Sequence, residues 1–245
     1  MMSLPLLLCK CFLICYYGNH VDIKTPKDSA KLHRSVSQTQ KAFNVWGIVL
    51  AIWAVYRSTI GATAPLVFDE LILKPLLFIG PVLFYIKNFE HKTLARGLWL
   101  EKGDWSKHWR ISALLCTPVF LLFTVFLLFS PNKASFDSIF ILLPIAFGMS
   151  VSEEILSRGF VARHIWEESK NVFKTMVVAS LLHMFLRIPR ILTTPELFGE
   201  KLILFIIADL ILSVVLTGLF LWKKSLAPVI LVRFLYSFLL MGMLA

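Results

Sequence analysis

Charge is scarce in this chain, and acidic charge is the scarcer kind. Only 16% of its 245 residues are Asp, Glu, Lys or Arg, 15 of them acidic and 25 basic. With 58% hydrophobic residues and a mean hydropathy of +0.76, a water-soluble domain of this length has too little polar surface to cover its apolar residues. That excludes a soluble globular fold and leaves a polytopic membrane protein. Cysteine is nearly absent: Cys9, Cys11, Cys15 and Cys116 form no metal-ligand spacing, and three of the four crowd into the first 20 residues, so no disulfide framework is expected. Internal repeats, low-complexity runs and long linkers are missing as well, which points to one domain. No basic run with interleaved aromatics lies in a polar segment, so the net charge of +10 is read as the basic bias of cytoplasmic loops and not as a nucleic-acid surface.

What is present is a series of apolar stretches, at about 43–60, 65–86, 111–129, 136–157, 173–191, 201–222 and 225–245. Most approach the ~20 residues that a helix needs to cross the hydrocarbon. The expected fold is therefore an all-α polytopic membrane helix bundle of about seven spans (six to eight), occupying residues 43–245 as a single transmembrane domain. Residues 1–42 read as an N-terminal leader and a basic tail. The leader's apolar run is broken by Lys10 and lacks the basic start and cleavage site of a signal peptide. It is either an interfacial segment or a stretch upstream of the true start, and its cysteines are either acylated or ordinary small apolar residues.

Counting basic residues orients the bundle. Five Lys/Arg lie in the tail (Lys24, Lys27, Lys31, Arg34, Lys41), six in 87–110, four in 158–174 and two at 223–224, which puts 17 of the 25 on one side of a seven-span arrangement. That side is expected to be cytoplasmic, with the N-terminus on it; in a prokaryote the membrane would be the plasma membrane. Trp99, Trp105 and Trp109 among the charges of 87–110 suggest a segment lying at headgroup level. Arg158 begins the next basic loop in this scheme, so Ser152–Gly159 falls near the cytoplasmic end of the fourth span.

Three spans carry ionisable residues where the bilayer tolerates few. In SEEILSRG, Glu153 and Glu154 are adjacent, and Glu154 shares a helix face with Arg158 at i,i+4. In VVASLLHMFLRIPR, His183 and Arg187 are at i,i+4, with Arg190 beyond. In SLAPVILVRFLYSF, Arg233 and Ser237 are at i,i+4, with Tyr236 between. A lone histidine is most often a satisfied core residue and a lone arginine often reaches out to the headgroups. Three such pairs on three helices of a small bundle satisfy one another only by converging on a shared polar centre.

The stretch EEILSRGF (Glu153–Phe160) resembles the EExxxRG motif of the CAAX protease and bacteriocin-processing (CPBP) family of intramembrane endopeptidases. The helix SLLHMFLRIPR is similar to the setting of that family's second motif, FxxxH, and KKSLAPVILVRFLYSF to its third. The resemblance covers about residues 45–245. It departs from the family at the residues that matter most. Aligned on SLL…PR, Arg187 stands where the family has histidine and His183 where it has phenylalanine; a shifted alignment makes His183 the motif histidine but loses the preceding aromatic. Arg233 stands at the third-motif histidine and Ser237 at its asparagine.

The resemblance implies a carboxylate that, with a histidine, activates water against a peptide carbonyl, while a second histidine and an asparagine stabilise the oxyanion. Glu153 would be the base, Glu154 its neighbour and Arg158 the residue holding Glu154. A divalent metal is left open by the resemblance, with Glu153, Glu154 and His183 as the available ligands, a thin set for zinc. Arginine at 187 and 233 would pair with the carboxylates and hold them ionised, which opposes their use as a base. Three readings follow: a CPBP-like membrane protein with impaired catalysis that binds a hydrophobic or prenylated peptide or a membrane partner; an active endopeptidase using His183; or a small transporter, against which the lack of an internal repeat counts.

Overall fold

The computed structural model describes residues 37–61, 64–100, 117, 136–193 and 199–244, and among them finds helices and turns but no strand. The helices are α1 (Gln38–Thr59), α2 (Leu66–Phe68), α3 (Lys74–Tyr85), α4 (Leu94–Gly97), α5 (Phe136–Glu154), α6 (Arg163–Ser169), α7 (Val172–Thr193), α8 (Glu200–Lys223) and α9 (Ala227–Leu244). Wider π-helical turns at Asp69–Leu73 and Ile86–Glu90 join α2 to α3 and extend α3, and a third at Ile155–Ala162 joins α5 to α6. Six of the seven expected spans are thus helical; the third, 111–129, lies outside the described residues apart from Thr117. Among the described residues three helices are long and apolar enough to cross a membrane: Phe140–Ser169, Val172–Leu192 and Phe205–Lys223.

The bundle is apolar outside and charged inside, the reverse of a soluble protein. On α8, Ile203, Ile207, Ile211 and Val215 recur every four residues along an exposed stripe, while Asp209, Ser213, Leu216 and Phe220 point inward. On α1 the same split separates exposed Ile48, Ile52 and Val55 from buried Val49, Trp53 and Arg57. Such faces suit hydrocarbon, and the integral-membrane reading of the composition holds. Within the bundle α9 lies along α5, α8 along α7, and α1 against α3, α6 and α7. Trp53, Phe78, Tyr85, Phe160 and Phe220 belong to the main apolar core, and Ile145, Ala146, Met149 and Met241 to a smaller one.

The irregular turns have local causes. Pro75 lacks an N–H, and in a regular helix its ring would meet the Leu71 carbonyl, so the chain widens over Asp69–Leu73. In the turn at 155–162 the Ser157 hydroxyl donates to the Glu153 carbonyl and competes with the helical ladder. Gly159, in that turn, lets Leu98 and Leu226 close in; a Cβ there would stand 3.1 and 3.2 Å from their methyl groups.

Two readings from sequence change here. The helix carrying Glu153 does not end at 157: it runs on through α6, and Arg158 and Arg163 are buried in it, not solvated in a loop. At ~1.5 Å per residue, Glu153 lies about 20 Å along the axis from Phe140, near the middle of the helix Phe140–Ser169. Trp99, expected as a headgroup anchor, is buried and stacks on Phe220 with ring centroids 5.1 Å apart.

Candidate functional site at the bundle centre

The polar residues of the three motif helices meet, and two further helices join them. The Glu154–Arg158 pair forms as its i,i+4 spacing predicts, at 2.8 Å and with both side chains fully buried. Arg158 uses the rest of its guanidinium fork on the Ser157 hydroxyl (3.0 Å), the Ser213 hydroxyl (2.6 Å) and the Ser213 carbonyl (3.3 Å), which ties the wide turn to α8. Arg233 donates to Asp209 at 2.8 Å and to Glu153 Oε2 at 3.2 Å. Arg187 pairs with the same Asp209 oxygen, and its Nε stands 3.9 Å from Glu153 Oε2. The faces of Phe205 and Tyr236 lie 5.3 and 5.4 Å from Arg187 and Arg233 and cover the two cations.

Glu153 has no free oxygen. Its Oε1 accepts from Lys74 at 2.8 Å, and Lys74 also donates to Glu70 Oε2 at 3.0 Å. Glu70 Oε1 in turn accepts from Arg190 at 2.6 Å, the most exposed member of the network. Four buried carboxylates (Glu70, Glu153, Glu154, Asp209) thus face four buried cations (Lys74, Arg158, Arg187, Arg233), with Arg190 entering from the edge. Near-neutrality is what permits so many charges at this depth. Four buried atoms of the network have no hydrogen-bond partner among the described residues: Glu154 Oε2, Asp209 Oδ2, Arg158 Nε and Arg233 Nε.

His183 lies between two arginines. Its Nδ1 is 3.1 Å from Arg158 and its Nε2 2.9 Å from Arg233, whereas Glu153 Oε2 is 4.0 Å away. A neutral imidazole has one acceptor nitrogen, so His183 accepts from one guanidinium and abuts the other, and neither nitrogen is turned to a water beside Glu153. Ser237 is not brought to the carboxylates; its hydroxyl stands 3.4 Å from that of Ser150.

These contacts bear on a metal. Among the described residues no grouping of three or more His, Cys, Asp or Glu side chains has the arrangement of a metal site. Both oxygens of Glu153 and both nitrogens of His183 already face cationic donors, which leaves one oxygen of Glu154 and one of Asp209, and two carboxylate oxygens do not make a zinc site. The residues as arranged do not fit the group.

Glu70, Lys74 and Asp209 were not singled out by the sequence reading, although a signal for them exists. DELILKP carries Glu70 and Lys74 at i,i+4 inside an apolar run, the same spacing that drew attention to Glu154 and Arg158. Asp209 is a lone carboxylate in IIADLILS, and an intramembrane carboxylate is a site candidate by default.

A second polar cluster lies where α3's extension meets α6. Glu90 accepts from Arg163 and stands 2.9 Å from His164 Nε2 and 3.1 Å from Lys92. Burial alone would raise the Glu90 pKa, but the hydrogen bonds to His164 and Lys92 and the charge of Arg163 outweigh it and pull it down to about 2.

The family model of the type II CAAX prenyl endopeptidase Rce1-like proteins matches residues 134–239. Over that segment, which holds Glu153, Glu154, Arg158, His183, Arg187, Asp209 and Arg233, the chain is similar to that family, in keeping with the resemblance read from the three motifs. Lys74 and Glu70 lie outside it. No curated protein and no solved structure matches the chain.

Proposed function

We propose that this membrane protein of CAAX protease type has an ion-pair network where relatives in its family would hydrolyse a peptide bond, and that it acts by binding and not by cleavage. The observation that carries this reading is that both oxygens of Glu153 are engaged by cations, Lys74 on one and Arg233 on the other. A general base needs an oxygen directed at the water it deprotonates, and Glu153 has none to spare. Its helper is equally committed, since His183 is flanked by Arg158 and Arg233. An arginine is able to stabilise an oxyanion, but Arg233 already serves Asp209 and Glu153.

The partner we propose is a hydrophobic or prenylated peptide, or a membrane protein presenting such a segment, held among lipid-embedded helices, with no role for nucleic acid. In this reading the basic end of the bundle, with Lys170 and Lys174 at the α6–α7 turn and Lys223 and Lys224 at the α8–α9 turn, faces the cytoplasm, as does the N-terminus.

The test is hydrolysis of prenylated and unprenylated peptides by the full chain in lipid nanodiscs, read by mass spectrometry. No Glu153-dependent product is expected, and Glu153→Gln should alter melting and leave peptide recovery unchanged. Cleavage that is lost in Glu153→Gln and His183→Ala but kept in Arg187→Ala would overturn the reading and restore the active endopeptidase.

A further inference from the structure

Lys74 has a more committed environment than any other lysine described. Its ammonium is 2.8 Å from Glu153 Oε1 and 3.0 Å from Glu70 Oε2, and the ring faces of Trp53 and Phe78 lie 5.6 and 5.7 Å from it. Its side chain is 2% exposed. An ammonium has three N–H groups: two meet carboxylates, and two aromatic faces cover the flank left over. The placement is fixed by the fold. The wide turn ahead of Pro75 sets Glu70 and Lys74 against α5, and Gly148 makes the approach close, since a Cβ there would stand 2.7 Å from Leu71 and 3.2 Å from the Glu70 carbonyl.

We propose that Lys74 is a positioning residue that removes Glu153 from acid–base chemistry, as the shared counter-ion of Glu70 and Glu153. This rests on the reading of the centre as a non-hydrolytic network and adds which residue enforces it. The arginines at 187 and 233 account only for Glu153 Oε2. Were both replaced by histidine, Oε1 would still be held by Lys74, a residue outside the family segment. The groups facing Glu153 are Lys74 from α3, His183 and Arg187 from α7 and Arg233 from α9, with Asp209 of α8 behind the two arginines and Glu154 and Arg158 on its own helix. Removing the Lys74 charge leaves Glu70 with Arg190 and Glu153 with Arg187 and Arg233, but takes away the one cation that stands between the two carboxylates and holds Glu153 Oε1 and Glu70 Oε2, so the pair takes up a proton more readily.

A hydrophobic carbodiimide, which adds to protonated carboxyl groups in membranes, reads this directly. The full chain in nanodiscs at neutral pH is treated and the labelled residues are mapped by mass spectrometry. In the wild type Glu70 and Glu153 should remain unlabelled. Lys74→Met should raise their summed labelling severalfold, and Lys74→Gln, which keeps polar contacts and serves if the methionine variant fails to fold, should do the same. Lys74→Arg keeps the charge and should restore the unlabelled state. Failure of both neutral variants to label, or equal labelling in the arginine variant, overturns the proposal, the first because the arginines alone then hold Glu153 and the second because loosened packing then explains the effect. Either result leaves the wild-type hydrolysis assay untouched, so this inference and the non-hydrolytic reading fail separately.

Discussion

Asp209 on α8 and Arg233 on α9 are held 2.8 Å apart with no exposure of either side chain, and the same carboxylate oxygen also receives Arg187 from α7. One carboxylate therefore anchors two guanidinium groups from two other helices. Asp209→Asn removes the charge and little volume, and it leaves both arginines to share Glu153 Oε2 inside the bundle. Breaking one side of a buried pair costs about 3–5 kcal/mol, and the variant should fall at the upper end because two partners are released. Unfolding of the purified protein in mixed micelles checks this; a loss under about 1 kcal/mol, the range of an exposed pair, would contradict the geometry.

Arg158 should resist its nominally conservative replacement. Its fork meets Glu154, the Ser157 hydroxyl, His183 and both the hydroxyl and carbonyl of Ser213. A lysine ammonium at that position keeps the charge but is too compact to span Glu154 and Ser213 together. Arg158→Lys is expected to lose about 2–3 kcal/mol, roughly the value of the charged hydrogen bonds it cannot remake. Equal stability of the two proteins would mean that the α8 contacts contribute nothing.

Glu90 gives the fold an acid-sensitive joint at the end of α3's extension. Its carboxyl titrates at about 2 in the folded protein against 4.5 as the ordinary value. A group whose folded value is depressed stabilises fully above its unfolded value and loses that contribution as pH falls toward the folded one. The melting temperature should therefore drop between pH 5 and pH 3 by more in the wild type than in Glu90→Gln. Parallel curves would show that Arg163, His164 and Lys92 do not act through this carboxylate.

The sequence made the class of fold plain because composition alone decides it: so apolar a chain has nowhere to put its side chains but lipid. It made Glu154–Arg158 plain because both partners sit on one helix, four residues apart. The extent of that helix was hidden for a related reason. Arg158 and Arg163 look like the start of a solvated loop, and only their partners, Glu154 beside one and Glu90 some seventy residues upstream of the other, make them buried residues. Asp209 has no partner on its own helix, so its only signal is that of a lone carboxylate in an apolar span. Glu70 and Lys74 were legible in principle and were overlooked inside a span that seemed merely apolar, although the residue closing off Glu153 is one of them. Motif positions point to what a family needs at a site; they say nothing of a cation that a separate helix brings to it.

Two glycines on neighbouring helices should respond to alanine in opposite senses. Gly80 lies in α3 with nothing within 4 Å of where a Cβ would be. Alanine there gains helix propensity at no steric cost, about 0.5–1 kcal/mol. Gly148 lies in α5 against the wide turn that carries Glu70, and its added Cβ would be 2.7 Å from Leu71 Cδ2 and 3.2 Å from the Glu70 carbonyl. The leucine methyl is able to swing away, but the carbonyl moves only with the turn, so overpacking of about 1–3 kcal/mol should outweigh the propensity gain. Because that turn aims Glu70 and Lys74 at Glu153, Gly148→Ala should also raise carbodiimide labelling of Glu153 where Gly80→Ala does not. If both substitutions stabilise equally, the close approach of α5 to the turn is not what sets Lys74 on Glu153.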